Sequence, residues 1–190
     1  MAQFNVPEDV SVEDFFKNQV PAQFPDLAAG VDLSTLAGKE FKLQFDVEGK
    51  KYCLNIKGGK EVEVIEGGVD APALSIALSE GDWRDAVTGK LGEVIDRFTD
   101  PAELSNENTF NTLLSTKGKL DVELKKDDGS KVPFTMVFGG QTAPEAAIKL
   151  SLADWVAMQK GQANGPNLVM TGKMEFTGDM MFLMGLQSLM

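Results

Sequence analysis

Phe41, Leu43, Phe45 and Val47 alternate with Lys42, Gln44, Asp46 and Glu48, the period of a strand with one buried and one wet face. Gly49 marks a turn, and the alternation resumes in Tyr52, Leu54 and Ile56, in Val62 and Val64 after Gly58-Gly59, and in Leu74, Ile76 and Leu78 after Gly67-Gly68. It returns further on in Leu120, Val122 and Leu124, in Val132, Phe134, Met136 and Phe138, and in Ile148, Leu150 and Leu152. A last strand is expected near 168–176. Short turns between the runs predict an antiparallel, mainly meander sheet of about seven or eight strands. Pro133 removes a ladder donor, so its strand belongs at an edge or turns the missing amide outward.

Between these runs the period lengthens to that of a helix. Ser11 and Asp14 open a segment with Val12, Phe15, Phe16 and Val20 on one face, which Pro21 should end or kink. Trp83, Val87, Leu91, Val94, Ile95 and Phe98 recur at helical spacing despite Gly89 and Gly92. Asp100-Pro101 opens another helix with Leu104, Phe110, Leu113 and Leu114, and Asn164-Gly165-Pro166 reads as a turn. An α+β fold follows, with helices covering one face of the sheet.

The pattern also repeats. Ala71-Pro72, Ile76, Leu78-Ser79, Asp82-Trp83 and Gly89 recur as Ala143-Pro144, Ile148, Leu150-Ser151, Asp154-Trp155 and Gly161. Each copy reads as a strand entering a helix, with serine as N-cap, aspartate reaching back as in a capping box, and leucine and tryptophan as a hydrophobic staple. The Asp-Trp pairs are thus expected to serve folding. The chain is read as one domain over 1–190, with an internal strand-helix duplication spanning about 34–98 and 113–190 within one continuous sheet.

Composition narrows the chemistry. The 190 residues carry a net charge of −11, and Lys50-Lys51 and Lys125-Lys126 lie beside Glu48 and Asp127-Asp128, so nucleic-acid binding is not expected. Histidine is absent, which removes Ser-His and Cys-His nucleophile systems and the commonest zinc ligand. Catalysis is disfavoured, a buried carboxylate acting on a bound lipid being the one enzymatic option left. Neither metal nor cofactor is expected. The single cysteine, Cys53, alternates onto the face opposite Tyr52, Leu54 and Ile56, where a small buried side chain is expected rather than a reactive thiol. Met1–Asp9 has no secretory pattern, and Met180–Met190 is too short to span a membrane, so a cytoplasmic protein without membrane insertion is expected.

The segment Gly172–Met190 carries the functional signal. Gly178-Asp179 caps a helix on which Phe182, Leu186, Leu189 and Met190 share one face, while Met180, Met181 and Met184 lie on the other beside Gln187 and Ser188. A helix apolar nearly all round needs cover on both sides. Methionine, flexible and polarisable, suits an apolar guest of variable shape. The same face packs equally well into the protein's own core or against a second subunit, as in a homodimer.

The run Gly172-Lys173-Met174-Glu175-Phe176-Thr177-Gly178-Asp179, followed by an apolar helix ending Leu186-Gln187-Ser188-Leu189, closely resembles the end of sterol-carrier-protein domains. The strand Ala146–Leu152, the turn with Asp154-Trp155 and the helix to Gly161 resemble the same family's approach to that end, and Val87-Thr88-Gly89-Lys90 resembles its post-helix motif. The segment from about Gly92 to Asn111 is longer than the family needs, and the terminal Ser-Leu-Met is not the Ser-Lys-Leu peroxisomal address. The resemblance implies a sterol-carrier-like fold enclosing an apolar tunnel under the C-terminal helix. It also implies non-enzymatic binding and transfer of a fatty acid, fatty acyl-CoA or sterol-like lipid. Carried over residue by residue, it places Phe15, Phe16, Trp155, Met158, Phe176, Met180, Met181 and Met184 at or near the cavity, positions that serve equally as ordinary core. The alternative is a structural or oligomerisation module whose Met-rich helix packs on a partner subunit.

Overall fold

The computed structural model describes residues 4–92, 94, 101–186 and 189. The expectations for Ile95, Phe98, Asp100, Gln187, Ser188 and Met190 lie outside the described residues.

The period-two runs form β1 (Glu40–Val47), β2 (Lys50–Lys57), β3 (Glu61–Glu66), β4 (Leu74–Leu78), β5 (Gly118–Lys125), β6 (Lys131–Phe138), β7 (Glu145–Ser151) and β8 (Met174–Gly178). They make one 8-stranded sheet in the order β3-β2-β1-β4-β6-β5-β7-β8. The sheet is mixed, a correction to the antiparallel expectation. β4 runs parallel to β1 and β7 parallel to β5, while the other neighbours are antiparallel. Three connections, β3–β4, β4–β5 and β6–β7, pass over intervening strands instead of joining neighbours. Residues 67–73 have ample reach for the three strand spacings, about 14 Å, between β3 and β4. The Val69 N–H donates to Gln44 Oε1 at 2.9 Å and ties that crossing to the outer face of the sheet.

Both halves share a pairing scheme, a hairpin (β1-β2, β5-β6) whose first strand then pairs in parallel with a later strand (β4, β7). The halves join where β4 meets β6 antiparallel, Ile76 opposite Met136. Pro133 therefore lies in an interior strand. The bond from Lys126 N–H to the Ser130 carbonyl sets the hairpin alternation, which turns position 133 away from β5, beyond the last β4 pair, Leu78 with Phe134. The missing amide faces away from its partner, as one of the two expectations had it.

The helices are α1 (Val12–Asp14), α2 (Val20–Ala28), α3 (Glu80–Val87), α4 (Pro101–Leu104), α5 (Glu107–Ser115), α6 (Leu152–Gln159), α7 (Gly165–Met170) and α8 (Met180–Gly185). They cover the sheet face that carries Phe41, Phe45, Tyr52, Phe134 and Phe138. Phe16 stacks on Tyr52 at 4.7 Å, Phe110 lies 6.1 Å from Phe41, Trp155 meets Phe134 edge-on at 5.7 Å, and Phe182 meets Phe138 at 6.2 Å. Pro21 does not end the first helix. A π-helical turn, Phe15–Gln19, joins α1 to α2, and Pro21 falls in the first turn of α2, where a missing N–H costs little.

The two serine caps match closely. Ser79 Oγ accepts from Asp82 N–H at 3.0 Å and Ser151 Oγ from Asp154 N–H at 3.0 Å. The aspartates do not reach back to the backbone as expected. Each accepts the serine hydroxyl instead, at 2.7 Å in both copies, because its side chain is one methylene shorter than glutamate. Trp83 and Trp155 are fully buried beneath their helices. Helix α3 stops at Val87, but Leu91 and Val94 still reach the core. Cys53 is buried on the outer face, where desolvation pushes its thiol pKa up.

Candidate functional site

The C-terminal segment builds its site from two short helices hinged on an edge strand. Asn164 caps α7 by accepting from Asn167 N–H at 2.9 Å, and Pro166 occupies the first turn, where its lack of an amide costs nothing. This segment was expected as a turn leading into a strand from 168. The helix runs instead to Met170, and β8 begins only at Met174.

Gly172 (φ +70°) and Gly178 (φ +94°) take the left-handed conformations that let the chain leave α7 and enter α8. At Gly178 a side chain would meet the Glu145 carbonyl oxygen, with Ala146 Cα 2.8 Å from the added atom. Asp179 then caps α8, accepting from Phe182 N–H at 2.8 Å while its own N–H donates to the Glu145 carbonyl at 2.8 Å. The motif Gly172–Asp179 is thus a pair of backbone reversals around β8.

These reversals set α7 and α8 against each other across an apolar groove of about 290 Å³. Each helix presents three side chains at i, i+3 and i+4, one face of a helix: Pro166, Val169 and Met170 from α7, and Met180, Leu183 and Met184 from α8. Met174, buried at 3% exposure, supplies the inner end. No lining residue is ionisable. The groove opens to solvent, with Met170, Met180 and Met184 exposed by 84%, 43% and 53%. The opposite face of α8 holds it to the core through Phe182, continued by Leu186 and Leu189, all buried, while Leu183 is buried at the base of the groove.

The residues expected at the cavity occupy five places. Met180 and Met184 line the groove, whereas Met181, on the same helix, is 78% exposed outside it. Phe176 is half-buried on β8 opposite Ile148. Trp155 and Met158 are buried in the core, the indole N–H donating to the Val94 carbonyl at 3.2 Å. Phe15 and Phe16 lie over the first half of the sheet, with Phe15 5.4 Å from the Trp83 ring and Phe16 5.4 Å from Phe45. The α7 wall, Pro166, Val169 and Met170, was missed. Its signal was present as an N-cap asparagine followed by proline at the first helical positions.

Helices on one face of a mixed sheet, with a purely apolar groove beside the edge strand, define the class of small α+β proteins with a site shaped for an apolar guest. Residues 102–190 match the model of the SCP-2 sterol transfer family, so the sterol-carrier recognition made from the C-terminal motif holds for that segment. Among solved structures, Sterol Carrier Protein 2 from Yarrowia lipolytica in its apo form is 17% identical, over 55% of this chain and 88% of that one, with a TM-score of 0.39. The solution structure of the sterol carrier protein domain 2 of Helicoverpa armigera is 20% identical, over 50% and 84%, with a TM-score of 0.38. A UbiJ-SCP2 ubiquinone synthesis protein is 10% identical, over 95% and 93%, with a TM-score of 0.30. No curated protein matches the chain. Among the described residues no helix is long and apolar enough to cross a membrane.

Proposed function

We propose that the protein binds and transfers an apolar lipid, a fatty acid, fatty acyl-CoA or sterol-like molecule, in the groove between α7 and α8, without transforming it. The observation that carries the reading is the groove lining itself, four methionines with Val169, Leu183 and Pro166 and no ionisable group. Each methylene buried there contributes about 0.8 kcal/mol, so an apolar chain or ring system laid along the methionines gains with every carbon it buries. The SCP-2 sterol transfer family match covers the elements that form the groove. The non-enzymatic part rests on the groove lining, which offers a bound molecule neither an acid nor a base.

The two halves are read as duplicated copies within one sheet. The recurring residues, the identical serine caps and the shared pairing scheme support this. The groove elements α7, β8 and α8 belong to the second copy. The protein is read as working in the cytoplasm.

Native mass spectrometry of freshly purified protein tests the central reading. The expected result is a co-purified lipid, or uptake of a fluorescent fatty acid by the delipidated chain. Protein that carries no lipid and takes up no probe contradicts it.

A further inference from the structure

Five of the nine methionines fall between positions 170 and 184, and their exposures divide them sharply. Met170, Met180 and Met184 line the groove at 84%, 43% and 53% exposure, Met181 lies outside it at 78%, and Met174 sits at its inner end at 3%. Elsewhere Met136 and Met158 are buried at 2% each. Thioether oxidation follows access to the sulfur, so the groove walls hold oxidisable sulfurs while the core methionines are shielded.

We propose that Met170, Met180 and Met184 form a reversible oxidation site that closes the groove to apolar ligands. This inference rests on the lipid-binding reading. The oxidant is a peroxide. The thioether sulfur attacks one peroxide oxygen, the O–O bond breaks, sulfur is oxidised to the sulfoxide and the peroxide is reduced to water. Each sulfoxide puts a strongly polar S=O dipole onto a wall that offers it no donor, because no lining residue carries a polar side chain. A lipid entering must strip water from that oxygen, a desolvation with no hydrogen bond in return. The helices themselves tolerate the change, since these three side chains face solvent while α7 and α8 are anchored by Leu168, Phe182 and Leu183.

The test treats full-length protein with graded hydrogen peroxide. Sulfoxides are mapped by peptide mass spectrometry, and uptake of a fluorescent fatty acid is measured on the same samples. Sulfoxide is expected at Met170, Met180, Met181 and Met184 before Met136, Met158 or Met174. Uptake should fall about tenfold with an unchanged circular dichroism spectrum, and methionine sulfoxide reductases A and B with dithiothreitol should restore it. Met181→Leu should show the same loss, because that sulfur lies outside the groove. Uptake that persists with all three groove methionines oxidised overturns the inference and leaves the lipid reading standing. Protection by Met181→Leu, or a loss that follows only unfolding, also overturns it. Untreated protein without uptake sinks both.

Discussion

Trp83 and Trp155 hold equivalent places, four residues beyond a capping serine and fully buried, yet their indoles differ in one bond. Trp155 donates to the Val94 carbonyl at 3.2 Å, whereas Trp83 Nε1 has no partner among the described residues. A buried donor without a partner is costly, and removing it recovers part of that cost. Trp83→Phe is therefore expected to destabilise less than Trp155→Phe, by about 1 kcal/mol, in urea unfolding. Equal losses would show that the two indoles are equally satisfied. Gly178 is the second residue on which much depends. Gly178→Ala must hold a left-handed φ and displace the Glu145 carbonyl, so it should cost about 1–3 kcal/mol and lower the melting temperature. An alanine variant as stable as the parent would contradict the close approach. The serine caps and the buried tryptophans four residues beyond them were legible in the sequence because spacing alone defines them. The direction of the aspartate bond was not, since Oδ2 reaching the serine hydroxyl rather than the backbone depends on one methylene.

Among the elements, α3 shows how charge supports a short helix. Glu80, in its first turn, accepts from Lys50 at 3.3 Å and from Arg84 at 2.7 Å, and these bonds hold its carboxyl below the ordinary 4.5. A depressed carboxyl stabilises the fold above its unfolded pKa, and that contribution is lost as pH falls through the folded value. Glu80→Gln should thus be less stable than the parent at pH 7, with the two converging as pH drops below about 4. A gap in urea midpoint that persists at pH 3 would exclude the carboxylate as its source. The first seven strands were legible because alternation marks a half-buried strand, whereas the last, expected from 168, begins only at Met174. The lengths of helical elements were not. Pro21 reads as a terminator, yet the π-turn before it carries the chain onward, and Asn164-Gly165-Pro166 reads equally as turn or helix start.

At the scale of the whole molecule, strand direction was the feature alternation could not supply. Phe41–Val47 and Leu74–Leu78 have the same pattern whether they run parallel or antiparallel, and only the crossing of 67–73 over the sheet decides. Parallel pairing also separates residues that seemed to belong together. Phe15 and Phe16 pack over the first half with Trp83, while Met180 and Met184 line a groove at the β8 edge. The Met-rich helix was legible as an amphipathic element with an uncovered face, but its opposing wall on α7 was not. The central claim is that this groove takes up lipid, and Met184→Glu tests it most directly. That side chain is 53% exposed, so a carboxylate there remains hydrated when the groove is empty and must be desolvated when lipid enters. The measurement is the affinity for a fluorescent fatty acid, with sedimentation of the same samples and Met181→Glu as a control outside the groove. The expected result is a loss of about tenfold or more for Met184→Glu, with little change for Met181→Glu and the same sedimentation throughout. Equal affinity in both variants and the parent, or a change of oligomeric state in place of a change in affinity, would contradict the account.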